Sequence, residues 1–184
     1  MSTKVSKSKV QDMALELMEK DFEVRGRVFN MNELGWRFSF STHKSRFGQC
    51  SFRRVGFGDN RSITNKRLYL SQWLIQNSSK TFAEWKNTML HEIAHAIDGE
   101  IRYTTNHDYR WKSIALAIGC DGKRCSSAEI DARASKYTLV CPNCGKETAS
   151  HKKKRRLSAC GQCCRDYNNG KFSMEFKLIQ EQNY

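Results

Sequence analysis

Apolar side chains recur every three or four positions in the first segment of the chain, from about Val5 to Phe22, with lysines and glutamates between them. This period predicts an amphipathic helix with one buried face. Further along, apolar and polar residues alternate over short stretches that are separated by Gly-rich and Asn-rich turns. Such alternation is typical of strands with one buried face. The predicted strands cover residues 36–41, 51–57 and 67–71.

A long helix is predicted to follow these strands. Thr81 and Glu84 have the spacing of a capping box, in which each side chain hydrogen-bonds the backbone amide of the other residue. Gly99 is predicted to end this helix, and a further helix is predicted from about Asp108 to Ile118, with Gly119 as its stop. Apolar residues at helical spacing should bury one face of the long helix: Phe82, Trp85, Met89, Ile93 and Ile97.

The long helix also carries the strongest chemical signal, His91-Glu92-Ile93-Ala94-His95. Two histidines four residues apart project from one helix face and can bind one metal ion. Glu92 directly follows the first histidine, where its carboxylate can take a proton from metal-bound water. Zinc lowers the pKa of that water and polarises the scissile carbonyl. The pattern therefore predicts a hydrolytic zinc site that uses zinc-bound hydroxide, with Glu92 as general base.

A catalytic zinc usually has three protein ligands, so a third ligand is needed. A histidine six residues after His95 would define one common class of zinc proteases, but that position is Ile101. The only histidine close downstream is His107, which lies just before the next predicted helix and is the favoured ligand. The carboxylate alternatives are Asp108, Asp121 and Glu129, and the candidate oxyanion donors are Tyr103, Tyr109 and Arg110.

A cysteine-rich module begins at about Tyr137. Its two CxxC pairs, Cys141 with Cys144 and Cys160 with Cys163, are fifteen residues apart, which predicts a closed, structural four-cysteine zinc site. Strands predicted at 137–140 and 172–178 would complete a small zinc ribbon. Cys164 is an alternative to Cys163, and redox-active pairs are the competing interpretation, although a redox motif needs a strand–helix context that is lacking here. The remaining cysteines are predicted to be ordinary thiols: Cys50, Cys120 and Cys125.

The net charge of +13, from 32 Lys and Arg against 19 Asp and Glu, predicts affinity for polyanions, of which nucleic acid is the commonest. Five consecutive cations lie between the CxxC pairs, where a hairpin tip would present them to a phosphate backbone. They are Lys152, Lys153, Lys154, Arg155 and Arg156. A solvated loop or a nuclear-import signal are the alternative interpretations of this basic tip.

The chain contains no apolar run of the roughly 18 residues that a membrane span requires. The first residues carry charge without an apolar stretch behind them, so no secretory signal is predicted. We therefore expect a protein with no membrane partner and a cytoplasmic location, or the host cytoplasm if a virus encodes the chain. In a reducing compartment, its eight cysteines should be thiols or metal ligands and not disulfides.

The metal motif, residues 107–111 at the start of a helix and the paired CxxC module together resemble the SprT-like zinc metallopeptidases, whose eukaryotic members include the Spartan proteases. Two upstream segments, residues 48–50 and 68–71, lie where the family has its small sheet. The resemblance implies an α+β fold. A zincin-like metallopeptidase domain, with helices and a small antiparallel sheet, would span residues 1–136. A four-cysteine zinc ribbon would span residues 137–184.

The resemblance further implies that His91, His95 and His107 bind the catalytic zinc and that Glu92 is the general base. It also implies proteolysis coupled to DNA, by an endopeptidase that acts on proteins bound or crosslinked to DNA. The family commonly has glycine after its third histidine, where this chain has Asp108. The alternative function is a catalytically silent DNA-binding or regulatory adaptor that uses the basic zinc ribbon.

Overall fold

The computed structural model of the chain describes residues 5–124 and 131–184. These residues form two compact units: the first contains residues 5–76 and 80–124, and the second contains residues 77–79 and 131–184. Helices and small sheets occur together, so the predicted α+β class is confirmed at this level. Within the described ranges, no helix combines the length and apolar character that a membrane crossing requires.

The first unit opens with helix α1 (Lys7–Glu19), whose N-cap Ser6 accepts a hydrogen bond from the Lys9 amide at 3.2 Å. The predicted helix was too long, because the chain turns into a hairpin of strands β1 (Asp21–Val24) and β2 (Arg27–Asn30). The two turn residues between these strands have positive φ angles of 53° and 72°, as a two-residue hairpin turn requires.

The next sheet contains β3 (Arg37–Ser41), β4 (Gly48–Val55) and β5 (Ser62–Ser71) in the order β3-β5-β4. β4 is antiparallel to β5, but β3 is parallel to it, so the expectation of an antiparallel sheet is wrong in part. The segment between β3 and β4 passes around the end of β5. Ser71 holds it there, donating its amide to the Phe47 carbonyl at 2.9 Å and its hydroxyl to the His43 carbonyl.

Helix α2 (Gln72–Gln76) precedes the long helix α3 (Phe82–Arg102), which packs on β4 and β5. The predicted capping box is confirmed at its start. The prediction that Gly99 ends α3 is wrong, because the helix continues to Arg102 and ends at Tyr103 in the left-handed conformation. Gly99 instead allows close packing: a Cβ atom there would lie 2.8 Å from the Phe52 ring on β4. Helix α4 (Tyr109–Ala117) follows, with Asp108 as its N-cap.

In the second unit, β6 (Tyr137–Val140) lies between β7 (Glu147–Ser150) and β8 (Ile179–Gln182) and is antiparallel to both. Helix α5 (Gly161–Asn168) begins at the second CxxC pair. The strand predicted at 172–178 is wrong, because Met174–Phe176 form a 3-10 turn and the strand begins at Ile179. The turn places the Phe176 ring in the buried cluster around the cysteines. The alternating pattern of residues 172–178 did not predict this turn.

Candidate metal centres and active-site cleft

Three imidazole rings converge in the first unit. Helix α3 supplies His91 and His95, and the segment before α4 supplies His107. The Nε2 atom of His107 lies 3.0 Å from Nε2 of His91 and 3.1 Å from Nε2 of His95. The structure therefore brings together the two histidines of the helical motif and the favoured third histidine.

The second ring nitrogens of His91 and His95, and the faces of all three rings, contact neighbouring residues. The Nδ1 atom of His95 lies 2.7 Å from the Thr105 hydroxyl oxygen, and His91 hydrogen-bonds the backbone of Lys123. Trp111 is buried and packs against all three imidazoles, with ring-centroid separations of 4.6 to 5.0 Å. These contacts turn each Nε2 atom toward a common centre, in the way that outer partners orient metal ligands.

The electrostatics of the rings fit a metal site. Burial, followed by the positive potential of the neighbouring histidines, lowers the pKa of His91 to about 4 and that of His95 to about 3. Burial also lowers the pKa of His107. The imidazoles are therefore neutral at physiological pH, which is the form that binds a metal. Zinc–nitrogen bonds of about 2.0–2.1 Å in a tetrahedron place ligand nitrogens about 3.4 Å apart, close to the separations observed. The group can hold a metal ion and is consistent with zinc.

Glu92 lies beside this centre and is buried against the backbone of β4, with 7% of its surface exposed. The backbone of Cys50 hydrogen-bonds its carboxylate, and burial raises the pKa of Glu92 to about 8. Gly48 makes room for this carboxylate, because a Cβ atom at position 48 would lie 2.6 Å from Oε1 of Glu92. Sequence reasoning noted the segment containing Gly48 and Cys50 but did not identify its contact with Glu92.

The three histidines and Glu92 line a cleft of about 720 Å³. Asp121 lines it too, whereas Asp108 is bound to Arg102 and to the first amides of α4. Glu129 lies outside the described residues. The cleft lining also includes four cationic side chains: Arg46, Lys80, Lys123 and Arg124. It does not include the predicted candidate oxyanion donors Tyr103, Tyr109 and Arg110.

The four predicted ribbon cysteines form a second convergent group. The Sγ atoms of Cys141 and Cys163 are 3.7 Å apart, and those of Cys144 and Cys160 are 3.8 Å apart. Zinc–sulfur bonds of about 2.3 Å in a tetrahedron give nearly the same sulfur–sulfur separation, about 3.8 Å. The group can hold a metal ion, and Cys164 packs beside it without belonging to it.

The remaining described cysteines lie elsewhere. Burial, then the negative charges of Glu92 and Glu100, raises the pKa of the Cys50 thiol, and burial raises that of Cys120. Both side chains are therefore protonated thiols at neutral pH. Cys125 lies outside the described residues.

The basic tip, Lys152 to Arg156, is exposed at all five positions and follows the end of β7. The backbone amide of Lys154 donates to Oε1 of Gln180 on β8 at 2.7 Å, which ties the middle of the tip to the sheet. The five charged ends are thus presented to solvent from an anchored backbone.

A comparison with family models matches residues 16–132 to a model described as the SprT-like family. The match covers more than half of the chain and includes helix α3 and His107, while the four metal-site cysteines lie beyond it. No curated protein sequence and no solved structure matches the chain significantly. On the evidence of the family model, the chain belongs to the SprT-like family.

Proposed function

We propose that the chain is a zinc-dependent endopeptidase that cleaves proteins bound or crosslinked to DNA, with a zincin-like catalytic unit and a structural zinc in the ribbon. The observation that carries the proposal is the convergence of three neutral imidazoles in one cleft with a buried carboxylate, with Nε2 of His91 and of His95 each about 3 Å from Nε2 of His107. The SprT-like family supports a metalloprotease-related function.

His91, His95 and His107 would hold the catalytic zinc. When bound, zinc supplies Lewis acidity that polarises the scissile carbonyl and makes an attacking water easier to deprotonate. Thr105 and Trp111 keep the histidine rings in the orientation that presents Nε2.

Glu92 carries the proton. Its carboxylate accepts a proton from the attacking water as the new carbon–oxygen bond forms. It then donates that proton to the amide nitrogen as the carbon–nitrogen bond breaks, so Glu92 ends in its starting state. Burial raises the pKa of Glu92 toward neutral pH, and a bound cation favours the ionised form that accepts the proton, so both transfers cost little. Gly48 leaves room for the carboxylate beside β4, and the Cys50 amide hydrogen-bonds it there.

DNA is proposed as the partner that brings substrates to the cleft. The net charge of +13 and the exposed basic tip favour a polyanion. The basic tip contains only lysine and arginine and so offers no aromatic ring for stacking on bases. We therefore expect DNA binding that depends on phosphate contacts and not on base sequence.

The decisive experiment measures cleavage of a basic DNA-binding protein with and without single-stranded DNA, for the wild type and for Glu92→Gln. We expect DNA-stimulated cleavage by the wild type and a loss of cleavage in the variant, which keeps its bound metal. Cleavage by a metal-loaded Glu92→Gln protein would refute the proposed role of Glu92. DNA binding by a fully metal-loaded wild type that cleaves nothing would favour the adaptor function instead.

The role of the basic tip can be tested with a matched pair of double variants. Arg155→Gln/Arg156→Gln removes two exposed charges from the tip, and Arg53→Gln/Arg54→Gln removes two adjacent exposed charges from β4. The tip variant should lower the slope of log Kd against log salt by about 0.7 per lost phosphate contact on single-stranded DNA. Equal salt slopes for the two variants would show that the tip is not the DNA contact.

A further inference from the structure

Arg102, at the end of α3, joins two carboxylates. Its Nε donates to Oδ1 of Asp98 at 2.7 Å, and its Nη1 donates to Oδ2 of Asp108 at 2.7 Å. Nη2 also bonds both carboxylates, so the guanidinium contacts each through two nitrogens. Paired contacts of this kind fix both partners in distance and in orientation.

The two carboxylates connect the two halves of the histidine site. Asp98 lies three residues after His95 on α3, and its side chain is only 1% exposed. Asp108 directly follows His107 and caps α4, accepting the amides of Arg110 and Trp111 at 3.0 Å each. The guanidinium therefore links the helix that carries two histidines to the residue beside the third.

His107 depends on this link more than its two partners do. His91 and His95 are placed by a helix of 21 residues that packs on a sheet. His107 instead lies between two helices and is exposed, and its ring contacts the rings of His91, His95 and Trp111. Its position is thus set mainly by the backbone at residues 107–108, which Arg102 ties down through Asp108.

We propose that Arg102, acting through Asp98 and Asp108, is a positioning residue that fixes His107 for metal binding. The inference rests on the proposed three-histidine metal site, but it does not depend on proteolysis or on DNA. It also accounts for aspartate at position 108, because this side chain caps α4 and reaches the guanidinium at the same time. A glycine there has no side chain that could make either contact.

The competing interpretation is that Arg102 only stabilises the start of α4. Two variants separate the alternatives. Arg102→Met removes the guanidinium but keeps an unbranched side chain. Asp108→Ser keeps an N-cap side chain, since Ser and Asp cap helices about equally well, but loses the carboxylate that reaches Arg102. If Arg102→Met fails to fold because Asp98 is left buried and unpaired, Asp108→Ser decides the question by itself.

The test measures metal affinity in the intact 184-residue chain by chelator competition for zinc and by cobalt(II) absorption. Cobalt bound by thiolates absorbs strongly in the near ultraviolet, so the cysteine and histidine sites are followed separately. We expect both variants to weaken the histidine site by roughly 10- to 100-fold, the usual effect of removing an outer partner of a metal ligand. The cysteine site should keep its affinity.

A double-mutant cycle with His107→Ala then distinguishes positioning from general stability. If Arg102 acts through His107, adding Arg102→Met or Asp108→Ser to His107→Ala should cause no further loss of metal affinity. The proposal is overturned if both variants keep full affinity, or if each weakens the site equally with and without His107. A wild-type protein that binds metal only at the cysteines would overturn both the histidine site and this inference. Metal binding as expected without any proteolysis would refute the proposed function alone.

Discussion

Replacing Glu92 with glutamine should stabilise the metal-free protein at alkaline pH and have little effect on its stability near pH 4. Burial raises the pKa of Glu92 from 4.5 to about 8. Between these values the unfolded chain has released its proton while the folded protein still holds it. The wild type therefore loses stability as the pH rises through this window and loses no more above it. Glutamine has a similar shape and no charge, so the variant escapes this loss.

The magnitude follows from the width of the window. Each unit of pKa change corresponds to about 1.4 kcal/mol of unfolding free energy. A rise of the Glu92 pKa from 4.5 to about 8 therefore sets an upper bound of about 5 kcal/mol on the stability that the wild type loses. Water in the cleft beside the carboxylate reduces this value by solvating the ionised form. We expect Glu92→Gln to gain roughly 2 to 5 kcal/mol at pH 8.5.

The assay is urea unfolding of the intact, chelator-treated chains between pH 4 and pH 9, followed by tryptophan fluorescence. All four tryptophans lie in the first unit, so the signal reports the unit that contains Glu92. Glu16→Gln, on the exposed side of α1, is the matched control and should leave the stability unchanged across the range. Adding zinc should shrink the difference between Glu92→Gln and the wild type, because a nearby cation favours the ionised carboxylate.

A stability difference between wild type and Glu92→Gln that is the same at pH 4 and pH 8.5 would refute the reasoning. It would mean that the carboxylate is as well solvated in the folded protein as in the unfolded chain. The contact with Gly48 and the Cys50 amide would then have to be looser than the structure indicates.

Three further predictions concern other parts of the chain. Gly48→Ala should displace the Glu92 carboxylate and lower peptide cleavage by at least about 100-fold while the metal stays bound. Gly161→Ala is the control and should be tolerated, because the added Cβ meets only the end of an arginine side chain at 3.5 Å. Cleavage rates and metal content test both variants. Cys144→Ser should release the metal of the ribbon and unfold that unit, but Cys164→Ser should keep it, as measured by metal analysis and circular dichroism. Burial lowers the pKa of Lys80, so the wild type should gain stability relative to Lys80→Met as the pH rises toward 10.5, because the buried amine loses its charge before the unfolded chain does; urea titration at several pH values tests this.

The parts of the fold that could be predicted from sequence are those set by neighbouring residues. The capping box of Thr81 and Glu84 and the buried face of α3 depend on contacts within a few positions, and both are present. The parallel pairing of β3 with β5 could not be predicted, because it depends on a connection that passes around Ser71 at the far end of another strand. Gly99 was misinterpreted for a similar reason: its role is set by Phe52, which is distant in sequence.

The same distinction applies to the candidate site. The i, i+4 spacing of His91 and His95 is a local signal that places both on one helix face. The partners that orient them come from other segments: Thr105 from the chain after α3, and Trp111 from α4. No spacing rule identifies a threonine or a tryptophan at these positions as a partner of the histidines. Asp108 departs from the family pattern, and its physical role follows from two contacts in the structure: it caps α4 and it binds Arg102.

Helix α3 approaches the sheet closely at two glycine contacts, and these contacts have different consequences. At Gly48 on β4, an added Cβ would lie 2.6 Å from Oε1 and 2.7 Å from Cγ of Glu92, the proposed general base. At Gly99 on α3, an added Cβ would lie 2.8 Å from the Phe52 ring, which is part of the packing between helix and strand. A substitution at Gly48 can be relieved by turning the Glu92 side chain away from β4, which should cost catalysis more than stability. A substitution at Gly99 must displace the Phe52 ring or separate α3 from β4, and because either loses packing it should cost stability first.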